Sequence, residues 1–210
     1  RVGNGVQAAF APAPIDEVVA KILSDQPDVV FAPHVETSAG LILPDDYLKA
    51  VSDAVHSYGG LFVLDCIASG CAWVDMRAVG VDFLISAPQK GWSASPSAGL
   101  VMLSEAGVAA VKASQSNSFA VDLGKWLSIM ETYEAGGHAY HATLPTDGIR
   151  QLRDAMVESR DLGFDALRDA QWALGNAVRA NLAARGVQSV AAEGFGAPGV
   201  VVSYTNDPGV

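Results

Sequence analysis

The sequence predicts an α/β fold with a mixed, mostly parallel sheet. Three observations support this prediction: helical and strand patterns alternate along the first half of the chain, polar clusters follow three strands, and the chain can bury a core. Hydrophobic residues make up 50% of the 210 residues, and charged residues make up only 17%. The two cysteines are too few for a disulfide framework, and no ligand-spaced histidines accompany them. We therefore expect no metal site.

The first helix and strand follow from hydrophobic spacing. Apolar residues recur at helical intervals after Pro14: Ile15, Val18, Val19, Ile22 and Leu23. Residues 29–31 form a short continuous apolar run, which predicts a strand covered on both faces. A second helical stripe over residues 48–58 ends at two glycines, and a strand is predicted over 61–64.

The direction of the next two strands follows from the links between them. Residues 81–85 predict a third strand, and its position after a helical segment favours parallel pairing. Residues 99–103 predict a fourth strand. The link to it from Lys90 is too short for a helical crossover, so we expect this strand to run antiparallel.

The last third of the chain predicts long helices and the start of a second lobe. Apolar residues from Pro145 onward recur at helical spacing, and Gly186 ends the pattern. Two apolar segments, 187–190 and 200–204, predict the first strands of a further small sheet. We thus divide the chain into a large domain (1–147), connecting long helices (148–185) and the truncated beginning of a small C-terminal domain (186–210).

Charge and hydropathy exclude several classes of function. The formal net charge is −10, which repels nucleic-acid phosphates and anionic membrane surfaces. No apolar run approaches the roughly 20 residues that cross a bilayer. We expect a cytoplasmic protein that binds neither nucleic acid nor a membrane. Because the chain opens at Arg1 without an initiator Met, we also expect a fragment of a longer protein.

Polar clusters at 34–38, 65–69 and 86–95 follow the predicted strands. In open α/β sheets, ligands bind beyond the carboxyl ends of the strands. Asp65 ends an apolar strand with no basic neighbour in sequence, so its carboxylate needs a cation or hydrogen-bond donors. A protonated ring nitrogen would serve, and simple capping of the loop is the alternative.

Lys90 is the second candidate for chemistry. It leaves a buried strand and enters a run of small residues that contains no carboxylate to neutralise the ammonium group. A lysine whose amine is free of its proton condenses with aldehydes. The alternative is a solvated loop lysine.

Five segments, in this order and spacing, resemble the class V aminotransferases, a family of pyridoxal 5'-phosphate (PLP) enzymes of fold type I. They are 34–40 (HVETSAG), 63–69 (VLDCIAS), 80–82 (GVD), 86–90 (SAPQK) and 140–146 (YHATLPT). The resemblance is nearest to the alanine–glyoxylate and serine–glyoxylate group. It implies a three-layer large domain of the PLP-dependent transferase type, followed by the start of a small α+β domain.

The resemblance also implies roles for individual residues. Lys90 would form a Schiff base with PLP, the internal aldimine, and later move a proton to or from the substrate. Asp65 would pair with the pyridine nitrogen. Thr37 would bind the phenolic oxygen, Ile67 would pack on the ring, and Gln89 would bind the phosphate.

Two further residues imply a partner subunit. Tyr140 and Thr143 match positions that reach the phosphate of the neighbouring subunit in this family, so a homodimer is expected. The phosphate-binding glycine loop, the ring-stacking aromatic residue and the arginine that binds the substrate carboxylate are expected outside this chain.

The expected reaction moves an amino group between alanine or serine and a 2-oxo acid such as glyoxylate or pyruvate. Gln89 separates the chain from cysteine desulfurases and kynureninases, which typically have His there, and neither Cys66 nor Cys71 resembles a desulfurase nucleophile. Two alternatives stay open. One is other PLP chemistry, such as elimination, decarboxylation or aminophosphonate transamination. The other is a non-catalytic α/β binding domain.

Overall fold

The computed structural model describes residues 1–206. Its strands are β1 (Val29–Pro33), β2 (Val35–Glu36), β3 (Leu41–Ile42), β4 (Leu61–Asp65), β5 (Phe83–Ser86) and β6 (Leu100–Leu103). Its helices are α1 (Ile15–Asp25), α2 (Asp45–His56), α3 (Met76–Val79), α4 (Glu105–Ala113), α5 (Leu123–Glu134), α6 (Thr146–Leu162) and α7 (Phe164–Ala183).

The main sheet has the strand order β1-β4-β5-β6. Strands β1, β4 and β5 are parallel, because helices connect them. Strand β6 runs antiparallel to β5, as the short link predicted. The predicted mixed, mostly parallel sheet is therefore confirmed. Strands β2 and β3 form a separate antiparallel pair.

One face of the sheet packs against α1, α2 and α3. Phe62 and Leu64 alternate along β4 toward this face, and both are fully buried. They meet Leu48 and Val55 of α2, which are also fully buried. Fully burying each such side chain contributes about 1.5–3 kcal/mol of hydrophobic free energy. This packing holds β1, β4 and β5 level with one another.

The described residues cover the other face only in part. Helix α4 reaches it near β5, where a Cβ on Gly107 would lie 3.4 Å from the ring of Phe83. At the β1 end, Val29 is 50% exposed and Phe31 is 57% exposed. The prediction that β1 is covered on both faces is therefore wrong for the described residues, because only its alternate side chains face the helices.

Two predicted strands near the end of the chain form single contacts instead. Ser189 and Ser203 make an isolated antiparallel bridge. The N–H of Val190 donates to Val202 O, and that of Tyr204 to Gln188 O. The two segments pair, but neither is a regular strand as predicted. The division of the chain into domains stays a prediction, and residues 207–210 of the predicted small domain lie outside the described residues.

Helices α4 and α5 were not predicted from the hydrophobic pattern. Their signal is in the caps: Ser104 accepts from the N–H of Gly107, and Asp122 accepts from that of Lys125. Both residues are of the types that favour helix N-caps. The long helices predicted after Pro145 are confirmed as α6 and α7. No helix within residues 1–206 is both long enough and apolar enough to cross a membrane.

A buried polar cluster joins the amino ends of β4 and β5. Asp82 is 3% exposed and accepts hydrogen bonds from the N–H of Phe62 (2.9 Å), from Ser104 Oγ (2.8 Å) and from His56 Nε2 (2.7 Å). Burial by itself raises the pKa of Asp82, but these hydrogen bonds outweigh it and lower the pKa below its ordinary value. Asp82 therefore acts as a structural anion.

We expect Asp82→Asn to lower the free energy of unfolding by about 2 kcal/mol near neutral pH. The NH2 group of the new amide would face groups that themselves donate hydrogen bonds. The contribution of Asp82 is present above the carboxyl's ordinary pKa of 3.8 and is lost as pH falls through its lower folded value. The difference between the two proteins should thus shrink in acid. Chemical denaturation from pH 2 to 7 measures it, with exposed Glu134→Gln as control.

Candidate active site

The parallel register brings three polar loops to one edge of the sheet. Pro33, Asp65 and Ile85 are level across β1, β4 and β5. The ladder continues into the loops: the N–H of His34 donates to Asp65 O (2.9 Å), and that of Cys66 donates to Ile85 O (2.8 Å). The loops after β1, β4 and β5 therefore begin side by side.

Asp65 stands at the middle of this edge. Its side chain is half-buried, and Oδ1 accepts a hydrogen bond from the N–H of Ile67 at 2.9 Å. This is the only side-chain hydrogen bond of Asp65 recorded within residues 1–206. The carboxylate does cap its own loop, as the structural alternative predicted. Its second oxygen is left to accept from a cationic or N–H donor.

Lys90 lies in a tight turn after β5. The turn is closed by hydrogen bonds from the N–H of Ser93 to Lys90 O (3.1 Å) and from that of Ala94 to Pro88 O (2.9 Å). Ser93 has a φ of 54°, a left-handed conformation that is costly for a residue with a Cβ. Both Gln89 and Lys90 are exposed. Lys90 takes part in none of the ion pairs formed within residues 1–206.

The Lys90 turn and the Asp65 loop are in direct backbone contact. A Cβ built on Gly91 would lie 2.4 Å from the carbonyl oxygen of Gly70, so only glycine allows this approach. The next residues continue the contact, because the rings of Trp92 and Trp73 are 4.9 Å apart. The structure thus brings together the two segments that hold the predicted amine and the predicted carboxylate.

The third loop holds Thr37 between β2 and β3. Glu36 fixes this loop: Oε1 accepts from both the N–H and the hydroxyl of Ser38, and Oε2 accepts from the N–H of Ala39. The hydrogen bond from the Ser38 hydroxyl, with the two backbone donors, lowers the pKa of Glu36 against the opposite effect of burial. The side chain of Thr37 is exposed. It is therefore free to face a ligand.

His34 and Cys66 form the base of these loops. His34 is buried, and its Nδ1 is 2.7 Å from Ser69 Oγ. Burial lowers the pKa of His34 to about 4, so the ring is neutral near pH 7. Burial likewise raises the pKa of Cys66 to about 12. A thiol so rarely ionised is a poor nucleophile, which agrees with the interpretation of Cys66 as a structural residue.

Tyr140 and Thr143 lie on the segment after α5. Tyr140 is 72% exposed, and its hydroxyl is 3.3 Å from Thr143 Oγ1. His141, between them, packs against Phe119, and its Nε2 is 2.9 Å from the carbonyl oxygen of that residue. Both predicted phosphate ligands thus present hydroxyl groups at the surface. Their role toward a neighbouring subunit stays a prediction.

Gln171 of α7 is a site-forming residue that the sequence did not reveal. Its side chain hydrogen-bonds the backbone on both sides of Gly70, at Ser69 and Cys71. About 100 residues separate the two segments, a distance that no local pattern spans.

The side chains present suit PLP. Among residues 1–206, the Asp65 carboxylate has an oxygen that accepts no hydrogen bond, which suits a protonated ring nitrogen, and Lys90 forms no ion pair, which suits an aldehyde. An exposed hydroxyl and amide match the phenolic oxygen and the phosphate. No group of three or more His, Cys, Asp or Glu side chains within residues 1–206 is arranged to hold a metal ion.

Comparison with known proteins agrees with this fold. The sequence pattern of the family described as aminotransferase class-V matches residues 13–193. A solved alanine–glyoxylate aminotransferase from Nostoc sp. superposes with a TM-score of 0.80 at 20% identity, covering 98% of this chain and 52% of that chain. The structural likeness shows the fold.

Two curated relatives give closer sequence matches. Alanine–glyoxylate aminotransferase 1 of Saccharomyces cerevisiae is 32% identical over 158 residues, which are 72% of this chain and 40% of the relative. A 2-aminoethylphosphonate–pyruvate transaminase of Syntrophobacter fumaroxidans is 31% identical over 140 residues, 66% of this chain and 36% of the relative.

The fold is the α/β fold of the PLP-dependent aminotransferases. The chain belongs to the class V aminotransferase family, and PLP is the cofactor of that family. It spans less than half the length of the two curated relatives.

Gly91→Ala should displace the Lys90 turn, because the added methyl group would meet the Gly70 carbonyl oxygen at 2.4 Å. We expect weaker PLP binding, by about tenfold or more, and a lower melting temperature. Gly99→Ala is the matched control, since a Cβ there meets nothing within 4 Å. Titration of the apoprotein with PLP compares the two variants, and equal affinities would contradict the contact.

Proposed function

We propose that the full-length protein transfers an amino group between a small amino acid, alanine or serine, and a 2-oxo acid, glyoxylate or pyruvate. The observation that supports this most directly is the backbone contact between Gly91 and Gly70, which joins the Lys90 turn to the Asp65 loop at the ligand-binding edge of the sheet. The relatives, named for alanine–glyoxylate and aminoethylphosphonate–pyruvate transamination, support this substrate class.

The bound cofactor supplies a ring that accepts electrons from the substrate carbon. In this proposal, the carboxylate of Asp65 keeps the proton on the ring nitrogen and so maintains that electron demand. The amine of Lys90 would hold the cofactor at its aldehyde carbon. Once the substrate amine displaces it there, the freed amine would move the proton from the substrate α-carbon to that cofactor carbon.

Three further residues orient the cofactor in this proposal. Ile67 packs on one ring face, Thr37 donates to the phenolic oxygen, and Gln89 donates its amide N–H to the phosphate. Neutral His34 supports the arrangement without competing for charge: its pKa of about 4 means that it brings no cation to the base of the loops. The second oxygen of Asp65, which accepts no hydrogen bond within residues 1–206, is the proposed acceptor for the ring N–H.

We place the second half of the phosphate site on a partner subunit. The exposed hydroxyls of Tyr140 and Thr143 would reach the phosphate of the neighbouring copy, which makes the protein a homodimer. Hydroxyl groups are neutral hydrogen-bond donors, so they can bind the same phosphate as the amide of Gln89. We expect this dimer in the cytoplasm.

The same residues also allow transamination of an aminophosphonate with pyruvate. The relative from Syntrophobacter fumaroxidans, 31% identical, favours this second candidate. The two reactions differ in the group that the substrate presents beside its amine, carboxylate or phosphonate. Product analysis with alanine and with 2-aminoethylphosphonate as donors distinguishes them.

Lys90→Ala should abolish covalent attachment of PLP, because it removes the only proposed anchoring amine. The full-length protein should absorb visible light with PLP, lose that band on addition of alanine or serine, and yield a labelled Lys90 peptide after borohydride reduction. Lys125→Ala, also exposed, serves as control and should behave as the unchanged protein. A protein that stays colourless with added PLP, or labels elsewhere, contradicts the proposal.

Asp65→Asn should slow transamination by about 10² to 10³-fold while PLP still attaches to Lys90, because an amide does not hold the ring nitrogen in its protonated form. Single-turnover kinetics separate this loss from weaker substrate binding, since the effect falls on the proton-transfer step. The exposed carboxylate Asp161 provides a control, Asp161→Asn. Full activity of Asp65→Asn is incompatible with the role given to the carboxylate.

A further inference from the structure

Gln171 connects α7 to the loop that follows Asp65. Its Oε1 accepts a hydrogen bond from the N–H of Cys71 at 2.9 Å, and its Nε2 donates to Ser69 O at 3.3 Å. One planar amide thus satisfies an acceptor and a donor on the two sides of Gly70. A carboxylate of the same length keeps the first bond and loses the second, and an alkyl side chain loses both.

The three groups are stacked without free space. A Cβ on Gly70 would lie 2.5 Å from Gln171 Oε1, and one on Gly91 would lie 2.4 Å from Gly70 O. The Gly70 peptide is thus in close contact with the amide of α7 and with the turn that contains Lys90. Because packed interiors transmit small displacements, a shift of the loop away from Gln171 shifts the surface on which the Lys90 turn rests.

The first turn of α7 contacts the same two segments independently. Trp73, which follows Cys71, donates its indole N–H to Phe164 O at 3.1 Å. The ring of Phe164 is 5.5 Å from Trp73 and 6.4 Å from Trp92. Helix α7 therefore contacts the Asp65 loop and the Lys90 turn both through this aromatic cluster and, two turns further along, through Gln171.

We propose that Gln171 is a positioning residue for the active site. Its amide holds the backbone around Gly70 in place, and the Gly70 backbone in turn sets the position of the Lys90 turn relative to Asp65. This inference rests on the proposed function only for the role of the Lys90 turn. The contact of Gln171 with the loop is present in the protein without cofactor.

The Trp73–Trp92 pair reports on the position of the two segments without cofactor. Indole rings 4.9 Å apart and tilted by 36° couple strongly, so the apoprotein should show an exciton signal in circular dichroism. The variant Trp92→Phe identifies this signal by removing it. Gln171→Leu should reduce the signal and raise the Kd for PLP on the order of tenfold, the effect of two lost hydrogen bonds.

Gln171→Glu, which retains the bond to the N–H of Cys71, should recover part of the signal and part of the affinity. Asn176→Leu, on the exposed side of the same helix, should change neither. The inference is overturned if Gln171→Leu and Gln171→Glu both keep the full exciton signal and the unchanged Kd. If the parent protein does not bind PLP, the proposed function fails, and the exciton signal of the variants still decides whether Gln171 positions the turn.

Discussion

The parallel register of β1, β4 and β5 is the constraint on which the site depends. It makes Pro33, Asp65 and Ile85 level, so the loops that leave these strands begin in one row. The buried face of the sheet maintains this row, because Phe62 and Leu64 are fixed against α2 by complete burial. The position of the loops at the carboxyl edge of the sheet therefore depends on the packing of the sheet against α2. The contact between Gly91 and Gly70 then holds two of these loops together.

Two aspartates, one at the carboxyl end of β4 and one just before β5, differ in how many hydrogen bonds the fold gives their carboxylates. Asp82, at the amino end, is buried and accepts hydrogen bonds from three different groups. Asp65, at the carboxyl end, is half-buried and accepts one from its own loop. The first carboxylate is engaged in hydrogen bonds within the fold. The second retains an oxygen for a ligand, which is the property that a cofactor site requires.

The sequence predicted the features that arise from local patterns. Alternating helices and strands, the antiparallel β6 and the polar strand ends including Asp65 and Lys90 all follow from hydrophobic period and link length. It missed what depends on distant segments. The exposure of Phe31 reflects which residues cover the second face, and the role of Gln171 reflects a contact across about 100 residues. Helices α4 and α5 were not predicted, because their sequence signal is in the N-cap residues rather than in an apolar stripe.

Helix α7 links the loops of the site to the end of the chain. Beyond Gln171, its Arg179 donates from Nη2 to Ala197 O and Val200 O at 2.6 and 3.0 Å. The N–H of Ala197 in turn donates to Gly40 O in the loop that holds Thr37. One helix thus supports the Asp65 loop on one side and, through Arg179, the Thr37 loop on the other. Because one helix holds both loops, it sets the distance between Asp65 and Thr37, the proposed ligands of the ring nitrogen and the phenolic oxygen. Residues that do not contact the cofactor in the proposed site therefore determine this distance.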